Sequence, residues 1–251
     1  MNGAWPKGTT AAVARSLDLY YRDRHRTARM DRLHAEFLST GQLAFDIGAH
    51  VGDRTGSFLR LGARVVAIEP QPPLFRALRL LYGRRPGVAL DCCAVGAVPG
   101  TCEMFVNSAN PTVSTASAEM VSAAPGAPGW EGQIWDHRIQ VPMVTLDKLI
   151  LEHGAPDFVK IDVEGFEDKV LQGLSVPLPA LSLEFTTLQR DVALRALDRL
   201  DALGSYRCNI SLGERHLLQA ADWIGPSQMR RFITDLPVSA NSGDIYARRQ
   251  T

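Results

Sequence analysis

The chain has 251 residues, 45% of them apolar and 22% charged, enough to bury a core in one large domain without disulfides or metal ions. Its 27 basic residues balance 27 acidic ones, which argues against a general nucleic-acid binder, because neutralising phosphates takes a basic excess or a strong local patch. The four cysteines, Cys92, Cys93, Cys102 and Cys208, form no C-x-x-C pair, so buried thiols are expected rather than a zinc or redox motif.

Residues 1 to about 10 are expected to be disordered, and residues 11–38 to be helical. Leu17, Tyr20 and Tyr21 share one helical face, and Met30, Leu33 and Phe37 continue a matching stripe. Six arginines on this segment (Arg15, Arg22, Arg24, Arg26, Arg29 and Arg32) are offset by Asp18, Asp23, Asp31 and Glu36. That mixture reads as a solvated face, with a surface for an acidic substrate or anionic lipid as the alternative.

From Leu43 the pattern alternates. Leu43 to Ile47 predicts a strand, followed by a helix to about Leu61, a strand over Arg64 to Ile68, a helix over Pro73 to Tyr82 and a strand over Val88 to Cys93. Thr101 to Val106 adds a further strand. Residues 107–138, crowded with Ser, Ala, Pro and Gly, predict an inserted loop over the site. Asp147 is expected to cap a short helix to His153. Strands over Asp157 to Val163, Leu181 to Thr186, Tyr206 to Ser211 and Asp244 to Ala247 alternate with helices over Glu167 to Leu174, Leu188 to Leu203 and from about Pro226. Repeated βα units predict an α/β, Rossmann-like, doubly wound and mainly parallel sheet. The expected organisation is an N-terminal helical extension, 1–40, and one domain, 41–251. With no apolar leader region and no apolar run near the ~18 residues of a membrane span, the expected address is the cytoplasm.

The densest chemistry lies in Phe45-Asp46-Ile47-Gly48-Ala49-His50-Val51-Gly52, where a strand passes into a helix. Gly48 and Gly52 permit a sharp turn and close ligand approach, and the helix start offers free N–H groups. Glu69 ends the next strand, 21 residues after Gly48, placed to accept hydrogen bonds from both ribose hydroxyls of an adenosine. A dinucleotide fingerprint needs G-x-G-x-x-G, and only Gly48 and Gly52 are present. Asp-x-Gly-x-x-x-Gly, beginning at Asp46, resembles instead motif I of the class I methyltransferases, with His50 where a middle glycine is frequent. A second polar stretch, Lys160-Ile161-Asp162-Val163-Glu164, brings Lys160, Asp162 and, if the strand persists, Glu164 to one side at the mouth of the sheet.

These segments together resemble the FkbM family of methyltransferases. The resemblance rests on Phe45 to Thr55, Val66-Ala67-Ile68-Glu69-Pro70, Thr145-Leu146-Asp147-Lys148-Leu149, Lys160 to Glu167, Val170-Leu171-Gln172-Gly173 and Leu183-Glu184-Phe185, and covers roughly residues 40–250. It implies a seven-stranded sheet with the last strand antiparallel, S-adenosylmethionine as cofactor, and methyl transfer to a hydroxyl of a sugar, glycan, lipid or secondary metabolite. Glu69 would hold the ribose; Asp46, Gly48, Ala49, His50, Gly52, Thr55, Pro70 and Asp162 complete the expected cofactor contacts. The family's acidic residue after the third strand is missing from Ala94-Val95-Gly96-Ala97.

An alcohol is a poor nucleophile, so a base beside it helps. Asp162 is the first choice, with Glu164 second; His137, which follows Trp135 and Asp136 in the predicted loop, either closes over the substrate or is a surface histidine. His50 fits better as cofactor-loop packing. Trp130 and Trp135 either stack on a sugar face or anchor the loop. Asp162, Glu164 and Glu184 are hard oxygen ligands, yet no spacing demands a metal. Two other readings share the crevice: a nicotinamide-dependent oxidoreductase, without its third glycine or a Tyr-x-x-x-Lys pair, and a non-catalytic cofactor-binding module.

Overall fold

A computed structural model describes residues 5, 6 and 8–250. Of the expected disordered stretch, residues 1–4 and 7 lie outside the described residues, and Thr9 already belongs to a helix. Two helices, α1 (Thr9–Arg22) and α2 (Arg24–His34), replace the single one expected. The break is at Asp23, whose backbone is extended and whose carboxylate accepts the N–H groups of His25 and Arg26. An acid that captures backbone donors ends one helix by capping the next.

The remaining elements follow as β1 (Leu43–Ile47), α3 (Asp53–Arg60), β2 (Arg64–Ile68), α4 (Pro72–Tyr82), β3 (Val88–Asp91), β4 (Ala94–Val95), β5 (Gly100–Val106), α5 (Ala118–Ala123), β6 (His137–Val144) and α6 (Leu146–His153). Then come β7 (Phe158–Ile161), α7 (Glu167–Gln172), β8 (Ala180–Thr186), α8 (Arg190–Leu203), β9 (Tyr206–Leu212), α9 (Pro226–Asp235) and β10 (Ser242–Arg249). Seven strands form the main sheet in the order β3-β2-β1-β7-β8-β10-β9. Only β10 runs antiparallel to its neighbours. This is the Rossmann-like arrangement expected.

Side chains alternate across each strand, which divides the core into two layers. Leu43, Phe45 and Ile47 face a layer holding Leu171, Leu197 and Met229. Ala44 and Phe158 face the other, with Leu33, Phe58 and Leu78. Buried on both faces, β1 reads as a continuous apolar run broken only by Asp46.

Several expectations are corrected. The third strand stops at Asp91, and Ala94–Val95 join a second sheet ordered β4-β6-β5. Its middle strand, β6, was not foreseen: its alternating Ile139, Val141 and Met143 are interrupted by Pro142, normally a strand breaker. Proline is tolerated because the short β4 pairs only with Met143 and Val144, leaving Pro142 a partner on one side alone. Residues 107–138, expected as an inserted loop, also contain the short helix α5. Trp130 is buried against Met120 and Ala124, and the Trp135 indole donates to the Val113 carbonyl at 2.9 Å. Both rings thus anchor the segment. The cap of α6 is Thr145, which accepts the Lys148 N–H, while Asp147 accepts the Ser175 N–H. Among the described residues no helix is long and apolar enough to cross a membrane.

Candidate active site

A cleft opens at the carboxyl ends of β1, β2 and β7. It lies where the chain, having built outward from β1 through β2 to β3, continues from β7 on the opposite side. Ligands of open α/β sheets bind at such reversals.

The floor is the turn after β1. Gly48 has φ 81°, and a Cβ there would stand 1.8 Å from the Asp162 carbonyl oxygen. Any larger residue would part β1 from the end of β7. The N–H groups of Gly48 and Ala49 both donate to the Ile68 carbonyl, tying the turn to β2. His50 follows with φ 51°, a left-handed conformation usually left to glycine. Its N–H donates to Glu69 Oε2 at 2.9 Å, and the Gln71 N–H donates to Oε1 at 2.7 Å. Glu69 is only 3% exposed; burial pushes its carboxyl up to about 7, against the pull of those two donors. Asp46 is raised by burial to about 6 and accepts a hydrogen bond from Thr55 Oγ1 at 2.5 Å. The His50 ring is lowered by burial to about 4, hence neutral near pH 7, and meets the Tyr20 ring edge-on at 5.5 Å.

The opposite wall is acidic. Strand β7 ends at Ile161, short of the expected Val163. Glu164 sits in a left-handed turn, φ 54°, ahead of Gly165 at φ 87°. The carboxylates of Asp162, Glu164 and Glu184 nevertheless converge, with oxygens within 4.8 Å of one another. Buried Lys160 bonds to Asp244 at 2.6 Å and Asp162 at 3.2 Å. Burial raises Asp162, yet the Lys160 ammonium, a hydrogen bond with Glu184 and the Arg54 charge together hold it below the ordinary carboxylate range. Burial and the Asp162 charge push Glu164 and Glu184 well up.

Of the expected site residues, Asp46, Gly48, Ala49, His50, Glu69, Pro70, Asp162 and Glu164 line this cleft. Three do not. Gly52 serves packing: a Cβ would meet Leu78 at 2.5 Å and the Tyr82 ring at 2.7 Å. Thr55 is fully buried and reaches the cleft only through Asp46. His137 opens β6, paired with Val106 and edge-on to Trp5 at 5.4 Å, so it stands in a sheet outside the cleft lining rather than on a closing loop.

Thr112, Ser114 and Ala116 of the 107–138 segment line the cleft. Sequence reasoning missed the rest of its roof, Tyr20, from α1, and Glu214. A buried ion network holds them: Arg26 and Arg54 donate to Asp53 Oδ2 at 2.8 and 2.6 Å, and Arg54 reaches Glu214 at 3.0 Å. Arg54 and Asp53 stood in the motif, but no spacing signalled Glu214, which arrives from 160 residues away.

The family model of the methyltransferase FkbM domain matches residues 46–235. No curated protein matches the chain in sequence. Among solved structures, the precorrin-6y C5,15-methyltransferase of Geobacter metallireducens is similar at a TM-score of 0.43 and 13% identity, over 90% of this chain and 87% of that one. The TehB-like SAM-dependent methyltransferase of Corynebacterium glutamicum has a TM-score of 0.47 and 12% identity, over 96% of each chain. A SAM-dependent O-methyltransferase of Thermotoga maritima has 0.44 and 10%, over 94% of this chain and 70% of that one.

Proposed function

The chain belongs to the FkbM family of S-adenosylmethionine-dependent methyltransferases, and from that premise we propose that it methylates a hydroxyl group of a sugar, glycan, lipid or secondary metabolite. The observation that carries this reading is the acidic wall facing the cofactor floor, with the Asp162 carboxylate kept ionised by Lys160. An acceptor that must lose a proton needs such a group; an already nucleophilic thiolate does not.

The donor set fits S-adenosylmethionine. Glu69 has each oxygen bonded to one backbone N–H, which leaves acceptor capacity for the two ribose hydroxyls. Gly48 and Ala49 let the ligand approach the backbone, and Asp46, oriented by Thr55, faces the amino-acid end. Ala94 and Val95 offer an apolar wall where the family usually has an acid. The cofactor supplies an electrophilic methyl group on a sulfonium. The chain positions the acceptor oxygen in line with it, and Asp162 accepts the hydroxyl proton.

The test is transfer of labelled methyl from S-adenosylmethionine to a panel of hydroxylated glycosides, lipids and polyketide-like alcohols. An O-methyl ether product supports the reading; transfer confined to amines overturns it. With a working acceptor, Asp162→Asn is expected to keep affinity for S-adenosylhomocysteine and lose about a hundredfold or more in kcat.

A further inference from the structure

The acidic wall gathers three carboxyl groups, of which only Asp162 touches a cation, Lys160, among the described residues. Lys160 touches Asp162, but its shortest bond is to Asp244, which stands outside the converging group. Glu164 is 8% exposed, and among the described residues its carboxylate has no hydrogen-bond donor; only its backbone carbonyl is engaged, by Thr115 Oγ1 at 2.6 Å. Glu184 Oε2 is likewise buried without a partner among the described residues. A carboxyl oxygen removed from water and given no donor is costly. Here Glu184 Oε2 is such an atom, and the Asp162 and Glu164 carboxyl groups stand beside it.

The spacing suits an ion. Oxygens on opposite sides of Ca²⁺ stand about 4.6–5.2 Å apart, and of Mg²⁺ about 4.1 Å. The three carboxylates each place an oxygen within 4.8 Å of the others, close enough for one such ion to bridge them. Two of them come from the turn after β7 and one from the adjacent parallel strand β8. All-oxygen, anionic donors select hard divalent cations over zinc or copper.

We infer that Asp162, Glu164 and Glu184 form a binding site for one divalent cation, of the Ca²⁺, Mn²⁺ or Mg²⁺ class, on the wall of the cleft. The ion takes the place of protons on the carboxyl groups and partners the unpaired Glu184 oxygen. It supplies Lewis acidity to an oxygen bound in the cleft; that purpose rests on the hydroxyl-methylation reading, whereas the site itself does not.

The experiment is a Mn²⁺ titration of the full chain after chelator dialysis, followed by the loss of the free-ion paramagnetic resonance signal. S-Adenosylhomocysteine is titrated separately by calorimetry. One Mn²⁺ per chain is expected, displaced by Ca²⁺ or Mg²⁺, and weakened on the order of tenfold or more by Glu164→Gln and by Glu184→Gln in samples that melt cooperatively. On the unaltered protein, bound Mn²⁺ is also expected to broaden the proton resonances of S-adenosylhomocysteine in the same cleft. A wild-type chain that binds S-adenosylhomocysteine but no Mn²⁺ overturns the ion site and leaves the methyltransferase reading intact. Mn²⁺ binding undiminished in both variants, or without broadening, places the ion elsewhere and overturns it too.

Discussion

As the proposed acceptor of the ribose hydroxyls, Glu69 would carry its charge in surroundings that oppose charge. Its carboxyl sits at about 7 because of burial, so near neutrality the free protein is a mixture of both forms. Ribose donors favour the carboxylate, and binding therefore releases a proton. Affinity for S-adenosylhomocysteine is expected to be level above about pH 8 and to fall by on the order of tenfold per unit below about pH 6. Folding has the opposite sign. The folded value lies above the ordinary 4.5, so this group's contribution to stability is full below that value and is lost as pH rises through about 7. Glu69→Ala is expected to weaken binding by on the order of 1.5–3 kcal/mol and Glu69→Gln to flatten the profile. Calorimetry at several pH values decides; a profile unchanged by Glu69→Gln removes Glu69 from the ribose. The placement of Gly48, Glu69 and Asp162 in the cleft was legible because it depends on position relative to a strand end, which the sequence displays. Gly52 and Thr55 sit in the same motif but act through α4 and Asp46, and such packing partners have no local signature.

At the scale of elements, the N-terminal helices are tied to the cleft by charge as well as by apolar contact. Asp53, in the first turn of α3, receives guanidinium groups from both Arg26 and Arg54, all three being buried. Removing the shared acid leaves two buried cations competing for Glu214, which is half exposed. Asp53→Asn is expected to cost about 3 kcal/mol, the scale of breaking a buried pair, and to lower the melting midpoint by about 6–12 °C in a chain of this size. A thermal melt matching wild type shows that the network does not hold the roof. The strands of the main sheet were readable from apolar runs between turn residues, β2 to the residue. The break at Asp23 and strand β6 were not. In the first, a capping side chain overrode an otherwise continuous helical stripe. In the second, Pro142 concealed an alternation that only a short neighbouring strand allows.

For the whole molecule, the cleft joins parts of the chain that are distant in sequence. Its floor belongs to β1 and β2, its acidic wall to β7 and β8, and its roof to α1, Glu214 and the segment carrying Thr112, Ser114 and Ala116. Repetition of βα units made the sheet foreseeable, whereas the roof depends on a tertiary meeting of charges. A ligand in this cleft contacts all three parts only when they are folded together, and so it favours the native state by mass action. At a hundredfold excess over its dissociation constant, S-adenosylhomocysteine is expected to add about 2.7 kcal/mol and to raise the melting midpoint by roughly 5–10 °C. NAD at the same concentration is expected to leave the midpoint unchanged, since the turn after β1 lacks the third glycine of a dinucleotide fingerprint. Stabilisation by NAD alone would return the cleft to the oxidoreductase reading. Equal stabilisation by both would mean that the floor recognises adenosine and ribose but that the acidic wall does not discriminate what is attached to them.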